Sequence, residues 1–253
     1  LGWRAKVTGR GPMSDQREKD PRGSQAAVAV RGAIDAGGRL FNIPPVVLVL
    51  AGILIAVFAA SILAPRAVLW MTGGAAGLSP ARLFAGPGAN GGLVGWLSPL
   101  VTHIFLHAGL AHLLFNSLWL VVFGTPLARR LDSPFRFLSF FVLSGAAGGV
   151  FYAAFHSADP TILIGASGGV TGLLGGLVRF AFQNPVRGAS FRYRVPLLDR
   201  SVLAWSGVVI AINASVAVLG PGVGAQGVDV AWQAHVGGYL FGLIAYPLFD
   251  RRA

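Results

Sequence analysis

One serine, two histidines and an asparagine stand inside stretches dominated by apolar and small residues. They are Ser167 in Gly165-Ala-Ser167-Gly168, His235 in Ala234-His235-Val-Gly-Gly238, and the pair in His112-Leu-Leu-Phe-Asn116. A serine hydroxyl attacks a carbonyl only when a base within hydrogen-bond reach takes its proton, and imidazole suits that task near neutral pH. His112 and Asn116 are four residues apart, so on a helix they share a face and can aim two donors at one point. Converging donors are what a developing oxyanion needs. The chemistry these types point to is acyl transfer, with Ser167 as nucleophile and His235 as base. No Asp or Glu falls within the apolar interior around them; Asp229, the nearest to His235, lies about 9 Å away along a helix. The expected unit is a dyad whose histidine is oriented by packing.

The elements that must carry these residues follow from composition. Of 253 residues 54% are hydrophobic and only 11% charged, with mean hydropathy +0.67. That is too little charge to cover a soluble surface. The apolar residues form blocks about twenty long, the length that crosses a bilayer as a helix. Six spans are expected, near 43–63, 110–128, 135–155, 162–182, 201–219 and 230–249: an all-α polytopic bundle over 41–253. Segment 64–109, rich in Gly and Pro and carrying Trp70 and Trp96, reads as a long interfacial loop, partly helical. Residues 1–40 are polar and basic and read as a disordered tail. Met13 opens a plausible natural start, which would make 1–12 an extension.

The net charge of +11 tempts a nucleic-acid reading, but its placement favours topology. Arg4, Lys6, Arg10, Arg17, Lys19, Arg22, Arg31 and Arg39 sit in the tail. Arg129, Arg130 and Arg136 sit between spans 2 and 3. Arg179, Arg187, Arg192, Arg194 and Arg200 lie between spans 4 and 5, and Arg251 and Arg252 at the end. Only Arg66 and Arg82 fall on the other side. By the positive-inside rule both termini are expected to be cytoplasmic. No nucleic-acid partner, metal or cofactor is expected, and the absence of cysteine excludes disulfides and thiolate ligands.

With that topology spans 2, 4 and 6 all run inward from the outer side. Their polar residues then lie four to eight residues from the outer ends, about 6–12 Å deep. Three spans placing polar groups at one depth imply a shared cavity, since such groups are costly in lipid. Glycines support a close contact between spans 4 and 6. Span 4 has Gly165, Gly168, Gly169, Gly172, Gly175 and Gly176, and span 6 has Gly237, with Gly238 and Gly242 in small-xxx-small spacing.

Each residue also has a plainer explanation. A membrane serine usually bonds the carbonyl four residues back, and Gly-x-Ser-Gly arises by chance in a glycine-rich chain. His235 could be a packing or proton-path residue, His112 and Asn116 could bond across helices, and the glycines could serve packing alone. His103 and His107 precede span 2 and read as structural loop residues; His156 reads as exposed beside Asp159. The conjunction of nucleophile, base and donors at one depth separates the catalytic reading from these.

At these positions the chain resembles the rhomboid intramembrane proteases. The matching stretches are Thr102-His103-Ile-Phe-Leu-His107-Ala-Gly-Leu-Ala-His112-Leu-Leu-Phe-Asn116, Gly165-Ala-Ser167-Gly168 and Ala234-His235-Val-Gly-Gly238-Tyr-Leu-Phe-Gly242. The resemblance implies a six-span bundle, a Ser167–His235 dyad, and an oxyanion site from His112, Asn116 and the Ser167 backbone N–H. It implies single-span membrane proteins as substrates, cut near the outer membrane face after a small residue, with access beside span 5. Two departures stand out. The family usually has an aromatic four residues after the serine, packed on the histidine, where this chain has Thr171. A Trp-Arg pair common in the first loop is here Trp96-Leu97.

Two rivals remain open. One is a non-proteolytic relative that binds other spans, usually marked by loss of the serine or histidine; both are present. The other is a small transporter, which should carry polar groups through the full depth and often inverted repeats. Here polarity is confined to the outer half.

Overall fold

A computed structural model of the chain describes Gly2 and residues 42–66, 77–157, 161–181, 194–219 and 230–251. The chain divides into Leu1–Asn42 and Ile43–Ala253, and the described helices all belong to the second unit. The expected basic tail, the Met13 start, Trp70, Asp159, Asp229, Arg187 and Arg192 lie outside the described residues.

Among the described residues six helices of twelve residues or more carry the architecture: α1 (Pro45–Leu63), α2 (Leu110–Leu131), α3 (Pro134–Phe155), α4 (Ser167–Val178), α5 (Arg200–Leu219) and α6 (Trp232–Phe249). Local chemistry sets several ends. Proline opens α1 and α3, where its missing N–H has no helical partner to lose. Ser133 caps α3 by accepting the Arg136 N–H at 3.4 Å. Between α2 and α3 the chain turns through Asp132 at φ 51°, the left-handed conformation that aspartate tolerates.

Among the described residues, α1, α2 and α3 are long and apolar enough to cross a membrane. Their outward faces carry exposed Leu48, Val49, Ile53, Leu118, Val122 and Leu143, a surface suited to lipid and poorly suited to water. The protein is an all-helical integral membrane bundle. The helices meet in a core of Val47, Leu50 and Leu54 from α1, Leu120 and Leu127 from α2, and Phe137, Phe140 and Phe141 from α3. At its centre α3, α4 and α6 pack most extensively on one another.

The fourth span departs from expectation. A helix over 162–182 is expected, but α4 runs only Ser167–Val178, twelve residues, about 18 Å against a bilayer core of about 30 Å. The preceding residues are extended because the loop offers them partners. Leu163 and Leu78 form an isolated antiparallel bridge, exchanging N–H···O bonds of 2.9 and 3.0 Å. The Gly165 N–H donates to the His103 carbonyl at 2.9 Å. Gly165 itself has φ +127°, a conformation that disfavours any side chain. Non-helical backbone within a membrane bundle is tolerable where protein satisfies its polar groups.

The long loop before α2 folds on itself. Short helices span Pro80–Ala85, Leu93–Leu97 and Pro99–Thr102, with 3₁₀ turns at Pro87–Asn90 and His103–Phe105. Arg82 Nε donates to Asn90 Oδ1 at 2.9 Å, and Asn90 Nδ2 donates to the Arg82 and Gly86 carbonyls, each at 2.7 Å. Trp96 Nε1 donates to the Leu83 carbonyl at 2.7 Å. So Trp96 is anchored although Leu97, and not an arginine, follows it in sequence.

Candidate active site

Ser167 is the first residue of α4, half-buried, directly after the Gly165–Ala166 turn. From sequence it is expected some residues inside a span. The shortened helix instead puts it at a helix N-terminus, where the first backbone N–H groups have no intrahelical acceptor. Free donors and the positive end of the helix dipole favour developing negative charge there.

His235 lies in the first turn of α6 and is half-buried. What brings its turn to the start of α4 is glycine. A methyl group added to Gly238 would collide with the Gly168 carbonyl, and one on Gly242 with the Gly172 carbonyl. The helices therefore touch backbone to backbone, a separation no larger side chain permits. One turn up, the Ala234 carbonyl lies 3.4 Å from a methyl built on Gly168. Ala234 and Gly238 thus straddle Gly168, with His235 next to Ala234 and Ser167 next to Gly168. Among the described residues no hydrogen bond joins the Ser167 hydroxyl to His235, whose Nδ1 is instead 3.1 Å from Asn213 Oδ1 on α5. Such bonds are often long before substrate binds.

His112 comes from the first turn of α2. A methyl built on Gly165 would lie 2.8 Å from both His112 Cε1 and Nε2 and 3.9 Å from Ser167 Oγ. The imidazole edge and the hydroxyl therefore flank one gap kept open by the missing side chain of Gly165. The Ala108 N–H donates to His112 Nδ1 across a long 3.5 Å, which leaves Nε2 as the protonated nitrogen facing that gap. Asn116, buried, donates from Nδ2 to the His112 carbonyl at 3.0 Å. Its amide has a second N–H to offer.

Thr171 and the remaining histidines play less direct parts. Thr171 Oγ1 donates to the Ser167 and Gly168 carbonyls at 2.9 and 3.1 Å, so its hydroxyl binds its own helix. His103 is buried, Nδ1 against the Pro99 carbonyl at 2.7 Å. Burial pushes its pKa down to about 4, against smaller opposing effects of backbone hydrogen bonds. His107, also buried, meets His112 edge-on with ring centres 5.1 Å apart, closer to the site than a plain loop residue. Burial first, then the neighbouring His112, pushes its pKa to about 4. His156 stacks on Tyr152 at 4.1 Å and is half-buried.

Two contributions are not foreseen from the sequence. The third helix supplies Gly145 and Gly148: methyls there would meet Ile104 and Gly169, and the Ala234 carbonyl and Gly168. The run Ser144-Gly145-Ala-Ala-Gly148-Gly149 is the signal that could have found them. The second is Asn213, a lone amide in an apolar span, which the cost of polar groups in lipid would flag as it flags those of spans 2, 4 and 6.

Comparisons with known proteins agree with this architecture. The Rhomboid domain family matches residues 94–252. The chain is 33% identical to the Rhomboid protease GluP of Bacillus subtilis over 146 residues, covering 58% of this chain and 25% of that protein. It is 32% identical over 161 residues to RHOMBOID-like protein 4 of Arabidopsis thaliana, 62% of this chain and 35% of that one. It is 32% identical over 152 residues to Rhomboid-like protease 5 of Toxoplasma gondii, 57% and 15% respectively. The aligned part thus spans about a third or less of each relative's length.

Proposed function

The chain belongs to the rhomboid family, and from that premise we propose that it is an intramembrane serine endopeptidase acting through Ser167 and His235. Its substrates would be single-span membrane proteins, cut near the outer face. The observation that most supports this is the packing of Gly238 on Gly168, because it sets the turn of His235 against the helix start that carries Ser167. Half-burial of both residues suits a hydrolase, which must admit water yet exclude lipid.

In this reading His235 Nε2 accepts the Ser167 proton as Oγ attacks the scissile carbonyl carbon. The carbonyl oxygen becomes an oxyanion held by His112 Nε2–H, the second Asn116 Nδ2–H and the Ser167 backbone N–H. Collapse breaks the C–N bond, and the leaving amine takes the proton from His235. Water, deprotonated by the same histidine, then releases the acyl group as a carboxylic acid and restores the serine. No metal or cofactor has a part in this scheme.

The six-span arrangement, with both termini cytoplasmic in a bacterial inner membrane, belongs to the same proposal. The lopsided distribution of Lys and Arg supports it. The short α4 fits it too, being capped on its outer side by the extended segment paired with the loop. Substrate access beside α5 is proposed on resemblance.

The test is labelling of the full chain in membranes with a fluorophosphonate, beside a cleavage assay on a panel of single-span proteins. Label and cleavage are expected in wild type and lost in Ser167→Ala and His235→Ala. Equal label on wild type and Ser167→Ala, or none on either, would favour a relative that grips spans without cutting them.

A further inference from the structure

We propose that Asn213 on α5 is a positioning residue that fixes the tautomer and orientation of His235, so that the reactive unit is Ser167–His235–Asn213. The inference rests on the hydrolase reading for its catalytic consequence, but its structural half stands on separate observations.

The attachment of α5 is narrow. Its buried residues Val202, Val209 and Asn213 fall at spacings of seven and four, a single stripe whose valines pack with Tyr239 and Leu243 of α6 and Val178 of α4. Leu203, Trp205, Val208, Ile210 and Ile212, off that stripe, are exposed. Two polar bonds cross from this stripe to α6: Ser206 Oγ with Tyr239 Oη at 2.8 Å, and Asn213 Oδ1 with His235 Nδ1 at 3.1 Å. His235 and Tyr239 are four apart on α6, so the two bonds run down one seam.

The amide can face only one way. Asn213 Nδ2 donates to the Val209 carbonyl at 2.9 Å, and a carbonyl oxygen cannot donate in return. The side-chain nitrogen is therefore committed to Val209 and the oxygen to His235. An amide oxygen only accepts, so the ring nitrogen opposite it, Nδ1, must carry the proton. A neutral imidazole has one N–H; with that hydrogen on Nδ1, Nε2 holds the free lone pair that a base needs. Asn213 thus selects the tautomer able to take a proton from Ser167 and resists ring rotation about Cβ–Cγ. It does what a buried carboxylate does for other catalytic histidines, without placing a charge in the membrane.

The experiment uses the full chain in detergent or membranes, comparing wild type, Asn213→Leu, Asn213→Asp and Ser206→Ala. Leucine keeps the size and removes the acceptor; aspartate keeps the acceptor; Ser206→Ala cuts the other cross-helix bond without touching His235. Two readouts are taken: the rate of fluorophosphonate labelling at Ser167, and the ¹⁵N shifts of His235, assigned with His235→Ala. Wild type should show the Nδ1–H tautomer. Asn213→Leu should label about tenfold to a hundredfold more slowly and lose that tautomer preference, while Asn213→Asp and Ser206→Ala stay within about threefold. The inference is overturned if Asn213→Leu keeps the wild-type tautomer and rate. It is equally overturned if Ser206→Ala or Asn213→Asp falls as far as Asn213→Leu, because loosening of α5 would then account for the loss. A wild type that never labels but whose His235 tautomer still follows Asn213 would sink the protease reading and leave the positioning role standing.

Discussion

The two ends of α6 treat polar side chains in opposite ways. Near its C-terminus Asp250 is buried and fully engaged: Arg130 reaches Oδ2 with Nε at 3.1 Å and Nη2 at 2.8 Å, and the Tyr246 hydroxyl donates to it at 2.7 Å. Arg130 lies over the Phe180 ring at 5.4 Å, Phe180 stacks on Tyr246, and Arg179 closes on the Val195 and Leu243 carbonyls. This cluster joins α2, α6 and the chain just after α4. Near the N-terminus of α6, backbone contacts at glycine dominate, half-buried His235 is bonded to the neutral amide of Asn213, and the Ser167 hydroxyl and His112 flank the gap at Gly165. One end is built to stay closed. The other is left open at Gly165 and is set by backbone contact and a neutral hydrogen bond instead of by charge.

The largest expected effect lies at the open end. Gly238→Leu puts a branched side chain where even a methyl would strike the Gly168 backbone. The α4–α6 contact must part, and labelling of Ser167 should fall by more than about a hundredfold, since misplacing a reactive group by an ångström costs about that much. Wild-type labelling in Gly238→Leu would show that the close approach does not position the reactive pair.

At the closed end the comparison predicts a loss of stability before a loss of chemistry. Asp250→Ala removes the carboxylate that pairs with Arg130, whose side chain is 6% exposed, and should cost about 3–5 kcal/mol. Thermal unfolding in detergent would show it as a lowered midpoint. Arg130→Met combined with Asp250→Leu should recover most of that loss, because an apolar pair leaves no uncompensated charge. A double variant as unstable as the single one would mean that the cluster acts through something other than charge pairing.

These two ends are not equally legible in the sequence. Apolar blocks of bilayer length announce the helices, and glycine at Gly238 and Gly242 announces a close contact, because both signals are local and periodic. Arg130 and Asp250 stand 120 residues apart and read only as charges near span ends; nothing in either neighbourhood names the other. The shortened α4 is hidden for the same reason: the turn expected before it is unmade by Leu78 and His103, distant in sequence, which offer Leu163 and Gly165 competing bonds. Asn213 is readable by type but not by role, since only the fold reveals which helix an amide faces.

A moderate effect is expected from the loop that buttresses the site. Burial holds His103 and His107 well below the ordinary histidine pKa of 6.5, each at about 4. The folded protein therefore binds fewer protons than the unfolded chain between those values. By linkage, stability should decline as pH falls from about 6.5 toward about 4 and level off below, losing up to a few kcal/mol. His103→Asn keeps a donor for the Pro99 carbonyl and removes that titration, so it should flatten part of the slope. An unchanged slope would assign the acid sensitivity elsewhere.

The smallest effect belongs to Thr171, where the chain departs from its family's usual aromatic. Its hydroxyl donates to two carbonyls of its own helix, each belonging to a residue at the open end. Thr171→Val keeps the branched shape and removes only those bonds, worth about 0.5–1.5 kcal/mol. Labelling of Ser167 should stay within about threefold of wild type, because the helix start is already fixed by Gly165 and by Gly168 against Gly238. A tenfold fall would add the Thr171 hydroxyl to the determinants of the open end, and would show that backbone contact and the Asn213–His235 bond do not by themselves fix the start of α4.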